Sequence, residues 1–148
     1  MPFSDRELLA RLIQCEAGGE GDDGMRAVAS VVMNRVYAPY GEFQRVSNGG
    51  NVRNIITQPG QFTCMKTSTS SGYNPQNIYN MEPEEVHYAI ADWALSGNTA
   101  ASVGNSLFFQ NPYSPVCPEY FPPGGIGRYY TRLNNHCFYA PTEKYRNT

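Results

Sequence analysis

The chain has 148 residues, 41% of them apolar and only 16% charged, with a net charge of −2. That length suits one domain around one core, and the apolar content excludes a disordered chain. With no Lys/Arg run, the composition predicts neither a nucleic-acid footprint nor an electrostatic membrane anchor, and no window approaches the ~18 apolar residues of a membrane span.

The N-terminal "MPFSDRELLARL" lacks a basic segment followed by an apolar run, so no secretory signal is expected. Ser4 and Glu7 have the S-x-x-E spacing of a capping box, which starts a first helix. Leu8, Leu9, Leu12 and Ile13 follow at helical spacing, and Gly18-Gly19 is expected to end the helix as a C′ glycine does. A second helix follows, with Asp22 or Asp23 as its N-cap. Met25, Val28, Val31, Val32 and Val36 leave almost no polar face before Arg35, which predicts a central, buried helix. "SNGGN" reads as a turn, and "NVRNIITQPG" as a short helix capped by Asn51 and stopped before Pro59. "QFTCMKTSTSSGYNPQNIYN" is long, polar and without period, the mark of a functional or mobile loop. In "MEPEEVHYAIADWALSGN" a further helix is expected, with Pro83 in its first turn, Glu84 and Glu85 at its positive end and Gly97 ending it. Val86, Ile90, Trp93 and Ala94 are its expected buried stripe.

The chain then changes character. "SLFFQNPYSP" is strand-like up to an Asn-Pro turn, and "RYYTRL" and "HCFY" read as two more strands. Helices first and a small Gly/Pro-rich β part afterwards predict an α+β fold, mainly helical, with residues 1–148 forming one domain.

The 11 tyrosines and the uncharged polar surface suit a neutral, hydroxyl-rich ligand such as a sugar, or simply a loop-rich domain with Tyr at loop bases. Cys15, Cys64, Cys117 and Cys137 make no C-x-x-C pair, and His87 and His136 lie far apart in sequence, so no metal site is expected. Cys117 and Cys137 can close a disulfide loop worth about 3 kcal/mol in the chain-entropy model; buried free thiols are equally compatible. "PPGGIG" has no strand-then-helix frame for a phosphate cradle.

Glu16 lies three residues after Ile13, four after Leu12 and seven after Leu9, on the apolar face of the first helix. Desolvation there, and the negative end of the helix dipole, would both raise its pKa. A carboxyl kept protonated near neutral pH serves as a general acid. The alternative is a half-exposed Glu at a fraying helix end. Glu20 is the second acid, either a base for water or a group that caps or pairs with Arg35. Cys15 with His136 is a possible nucleophile pair, but a helix C-terminus beside a Glu disfavours a thiolate.

"LLARLIQCEAGGEGDDGMRAVASVVMNRV" resembles the opening of the spore-cortex-lytic cell-wall hydrolases of the SleB/CwlJ type. "ITQPGQF", "SLFFQNP" and "LNNHCFY" match further blocks of that family in the right order, so the resemblance covers most of the chain, and "CPEYF…HCFY" is similar to its shorter, single-domain branch. Three features depart from it. Gly18 stands where Arg is common, residues 65–80 look like an insertion, and Tyr120 and Phe121 replace a Trp.

The resemblance implies a lysozyme-like catalytic domain without cofactor or metal. It would act as a monomer on peptidoglycan glycan strands by a lytic transglycosylase reaction, outside the cytoplasm in spore cortex or coat. An accessory protein is a possible partner for holding it at the wall, with no nucleic acid and no membrane among its partners. Glu16 falls on the family's acid, and Glu20 is the only nearby carboxylate for the hydrolytic alternative, which needs two carboxyls about 5–9.5 Å apart. Gln58, Gln61 and Asn111 are neutral hydrogen-bonding groups suited to acetamido and hydroxyl groups. Phe62, Tyr113 and Tyr129 offer rings to sugar faces, whereas Phe109 is expected in the core. His136 either fixes the last strand or faces the cleft. The rival readings are a non-catalytic glycan-binding module and a peptidoglycan amidase.

Overall fold

A computed structural model describes residues 2–148. Its first helix, α1 (Asp5–Ala17), begins where Ser4 accepts the Glu7 N–H at 3.1 Å. Only that half of the expected capping box forms, because the Glu7 carboxylate turns outward to Arg11 at 2.8 Å. Gly18 ends α1 in the right-handed region rather than as a left-handed C′ residue. Helix α2 (Gly21–Val36) follows at once, with Glu20 at its N-cap position, and Asp22 and Asp23 inside its first turn. The expected Asp cap is therefore displaced. Asp22 instead pairs with Arg26 one turn on, at 2.6 Å. As its sequence predicts, α2 is central. Val28, Val31 and Val32 are fully buried, and α1, α3 (Gly41–Ser47), α4 (Val52–Thr57) and α5 (Glu85–Leu95) all pack against it.

Helix α4 is capped as expected, with Asn51 accepting the Asn54 N–H at 3.0 Å. Helix α3 was not legible, because only Phe43 and Ser47 of its seven residues are buried and no period can show. In α5, Pro83 lies just before the helix, whose cap is Glu84 paired reciprocally with His87. Val86 is 41% exposed, so the buried stripe runs instead through His87, Ile90, Ala91 and Ala94, with Trp93 packed on its edge.

The polar stretch is ordered by its own amides. It contains two one-turn 3-10 segments, Thr63–Met65 and Ile78–Asn80, around a miniature hairpin of β1 (Ser68–Thr69) and β2 (Gly72–Tyr73). Asn74 Nδ2 faces the carbonyls of Thr63, Lys66 and Gln76, which closes the segment, while Phe62, Cys64 and Ile78 anchor its two ends in the core.

Strands β3 (Phe108–Gln110), β4 (Gly127–Leu133) and β5 (His136–Pro141) form an antiparallel sheet in the order β3-β5-β4. The two-residue turn Asn134-Asn135 joins β4 to β5, with Asn134 at φ 52°. The fold is α+β and mainly helical, as expected. Two disulfides, Cys15–Cys64 and Cys117–Cys137, take up all four cysteines. The second was an open alternative in the sequence, and the first was not foreseen. No described helix is long and apolar enough to cross a membrane.

A last helix, α6 (Glu143–Arg146), seats Tyr145 beneath α3. The Tyr145 hydroxyl accepts the Phe43 N–H at 3.1 Å and donates to the Tyr40 carbonyl at 3.0 Å. Tyr145→Phe leaves both backbone groups without that partner. It should lower unfolding free energy by about 1–2 kcal/mol in a urea titration, with an unchanged m-value.

Candidate active site

The C-terminus of α1, the Gly60–Cys64 segment, β3 and the start of β5 surround a cleft of about 640 Å³. Leu8, Leu9, Leu12 and Ile13 pin α1 to the core at 0% exposure. Because α1 stops at Ala17, the next residue on that same face, Glu16, emerges at the cleft wall. Burial pushes the Glu16 carboxyl from 4.5 up to about 7, while the backbone N–H of Cys64 and the charge of Arg35 oppose the rise. The Cys15–Cys64 disulfide ties the residue before Glu16 to the facing wall. It also leaves Cys15 no thiolate, which removes the nucleophile pair with His136.

Glu20 lines the same cleft but is turned toward the sheet. Its Oε1 accepts the Asn135 N–H at 2.9 Å, its Oε2 accepts from Asn135 Nδ2 at 3.1 Å, and its backbone carbonyl accepts from Asn134 Nδ2 at 2.7 Å. Gly24, one turn on, leaves the space this requires, since a Cβ there would stand 2.5 Å from Glu20 Cβ. The expected pairing with Arg35 does not occur. His136 Nδ1 stands 3.2 Å from Glu20 Oε1 without hydrogen-bond alignment. Burial lowers the His136 pKa from its ordinary value, and Glu20 only partly opposes this. His136 begins β5 and lines the cleft, but the hydrogen bond expected to fix the strand does not form, since its Nδ1 has no partner.

Arg35 is the cleft residue that sequence reasoning undervalued. It is 4% exposed, and its guanidinium donates to the Leu107 carbonyl at 2.7 Å and to Gln61 Oε1 at 3.2 Å. Burial lowers its pKa to about 10, so it stays charged at neutral pH. A cation closing an apolar helix run was the available signal.

The other expected ligand-binding residues divide. Gln61, Asn111 and Tyr113 line the cleft. Asn111 Oδ1 accepts the Tyr113 N–H at 2.8 Å, which holds Tyr113 at φ 51° with its side chain 90% exposed at the cleft rim. Gln58 is not a cleft residue, because its amide turns to Glu42 on α3 at 3.3 Å. Tyr129 is not one either, since β4 carries it away and its ring meets Tyr139 edge-on. Phe62 lines the cleft yet is only 3% exposed, packed under Arg35, so it offers no free ring face. Phe109, expected in the core, is the more open ring and stands edge-on to His136. Gln14, Asn74, Gln76 and Gln110 add further neutral amides to the lining. Gln76 Nε2 donates to the Cys15 carbonyl at 2.8 Å, so the polar stretch forms a wall of the cleft beside Glu16. No group of three or more His, Cys, Asp or Glu suited to a metal occurs among the described residues.

Residues 19–139 match the family model described as Cell Wall Hydrolase, a match that begins three residues after Glu16. The chain is similar to the cell wall hydrolase CwlJ of Oceanobacillus iheyensis, at 36% identity over 92% of this chain and 86% of that protein. CwlJ of Bacillus subtilis is 31% identical over 94% of this chain and 87% of its own length. Among solved structures, the catalytic domain of the germination-specific lytic transglycosylase SleB from Bacillus anthracis shares the fold. Its TM-score is 0.64 at 23% identity, with 93% of this chain and 97% of that domain covered.

Proposed function

Since the chain belongs to the cell wall hydrolase family, we propose that it cleaves the glycosidic bond between N-acetylmuramic acid and N-acetylglucosamine in peptidoglycan, as a lytic transglycosylase with Glu16 as its acid and base. The observation that carries this reading is a carboxyl that burial keeps about half protonated at neutral pH, at the wall of a cleft rich in neutral amides. Such a lining offers hydrogen bonds to hydroxyl and acetamido groups without the cost of desolvating charges.

Glu16 gives its proton to the glycosidic oxygen as the bond from that oxygen to the muramic C1 breaks. Positive charge develops at C1 and the ring oxygen. The sugar's own 6-hydroxyl then attacks C1, and the Glu16 carboxylate takes the hydroxyl proton. The product is a 1,6-anhydro sugar, and the enzyme regains its starting protonation state. Arg35 favours the transient carboxylate, and the surrounding apolar residues favour the acid form. A carboxyl balanced between the two serves both half-reactions.

One carboxyl is sufficient for this route. The observation favouring hydrolysis instead is that Glu20 lines the same cleft, but both its oxygens already accept hydrogen bonds. The two disulfides suit an oxidising location outside the cytoplasm. Spore cortex is the substrate we favour, by resemblance to the cortex-lytic enzymes.

Digestion of purified cortex and vegetative peptidoglycan, read by mass spectrometry, tests the proposal. Fragments with anhydro-muramic ends are expected, with cortex the better substrate. Reducing muramic ends would establish hydrolysis. Binding to insoluble wall without fragment release would establish a non-catalytic module, and released stem peptides an amidase.

A further inference from the structure

Arg35 is buried and its hydrogen bonds go to neutral groups, with Glu16 and Glu42 acting on it only as nearby charges, although buried charges are ordinarily paired directly. Its guanidinium carbon lies 4.6 Å from the centre of the Phe43 ring and 5.0 Å from that of Phe62. With Nε held by the Leu107 carbonyl, the fork is fixed in position and direction, and Nη1 reaches Gln61 Oε1 at 3.2 Å.

An arginine has donors and no acceptor. The Gln61 carboxamide must therefore turn its oxygen to Arg35 and its NH₂ away. Gln61 is half-buried in the cleft lining, and its Nε2 meets no acceptor among the described residues. A carboxamide free to flip presents either polarity to a ligand. This one is held in one orientation, with its NH₂ left as the free donor.

Resting on the glycosidase reading above, we propose that Arg35 is a positioning residue that locks Gln61 as a hydrogen-bond donor to an acetamido carbonyl of the glycan, so that Gln61 selects N-acetylated over de-N-acetylated sugar. Hydroxyls can answer either polarity, whereas the acetamido oxygen is an acceptor only. An amine at the same carbon is protonated near neutrality and offers only donors, so it opposes the Gln61 NH₂.

Soluble peptidoglycan tetrasaccharides, N-acetylated and chemically de-N-acetylated, serve as paired substrates for the full chain, with kcat and KM taken across pH. Gln61→Glu is the informative variant. Its carboxylate still accepts from Arg35, so the melting temperature is expected to hold, but the cleft now meets an acceptor. We expect KM on the N-acetylated substrate to rise about 10- to 100-fold, with the preference between substrates lost or reversed. Gln61→Met should raise the same KM without favouring the amine. Arg35→Lys keeps the charge but not the fork, and should lose part of the discrimination. A wild-type KM in Gln61→Glu, or equal losses on both substrates, overturns the proposal. Glu16→Gln, assayed alongside, separates the two readings. Its inactivity beside an unaltered Gln61→Glu sinks only the selectivity. Wild-type rates in Glu16→Gln sink the glycosidase reading itself.

Discussion

Replacing Glu16 by Gln is expected to cut the release of soluble wall fragments by about a thousandfold, within the range a positioned general acid contributes. The amide keeps the shape of the side chain but has no proton to give the leaving oxygen. In the wild type, kcat/KM should be level on the acid side of pH 7 and fall tenfold per unit above it, as Glu16 loses its proton with a pKa of about 7. A residual activity in Glu16→Gln that keeps the same alkaline limb would assign the titrating acid elsewhere.

The same variant should be more stable than the wild type, which separates lost chemistry from lost folding. Folded Glu16 holds its proton up to about pH 7, whereas the unfolded residue releases it near 4.5. Between those values the folded state binds the extra proton, so the contribution of Glu16 to stability falls as pH rises across that window. Above pH 7 the ionised, desolvated carboxylate costs the fold at most about 3 kcal/mol. Glu16→Gln removes that cost. Its melting temperature should exceed that of the wild type by several degrees at pH 8 and match it at pH 4. The activity gain from a desolvated acid is thus set against stability in a single residue.

Glu16 was legible in the sequence because its setting is local. The three leucines, the isoleucine and the acid lie on one helix, and the spacing alone puts them on one face. Helix α2, the Asn51 cap and the three sheet strands were legible for the same reason. What was hidden depends on distant chain. Glu20 is fixed by Asn134 and Asn135, more than a hundred residues on, so nothing near it announces the partner. The exchange between Phe62 and Phe109 likewise reflects tertiary packing. Arg35 draws Phe62 inward, while the antiparallel register that sets Phe109 opposite Phe138 brings it toward His136. Helices α3 and α6 are too short to show a period. The Cys15–Cys64 bridge spans 49 residues across α2, α3 and α4, and its far end opens a segment ordered by Asn side chains, which carry no hydrophobic pattern.

Glu20→Gln should weaken the fold by about 2–3 kcal/mol in chemical denaturation yet keep most of the activity. A glutamine can still accept the Asn135 N–H through its oxygen. Its NH₂ group then faces the Asn135 side-chain donor, so one contact becomes donor against donor. The turn between β4 and β5 loosens, and with it the placement of His136. Removing the Glu20 charge also removes what holds the His136 pKa up. That pKa, already below the ordinary value, should fall further, and imidazole NMR resonances followed with pH would report it. The activity outcome decides between the two chemistries. A hydrolase needs a second carboxylate to activate water and would lose about a thousandfold in Glu20→Gln, as in Glu16→Gln. A transglycosylase draws its nucleophile from the substrate, so a small loss in kcat, together with anhydro products from the variant, places Glu20 in the scaffold of the cleft. Because Asn134 and Asn135 already occupy the carboxylate and carbonyl of Glu20, the smaller loss is the expected result.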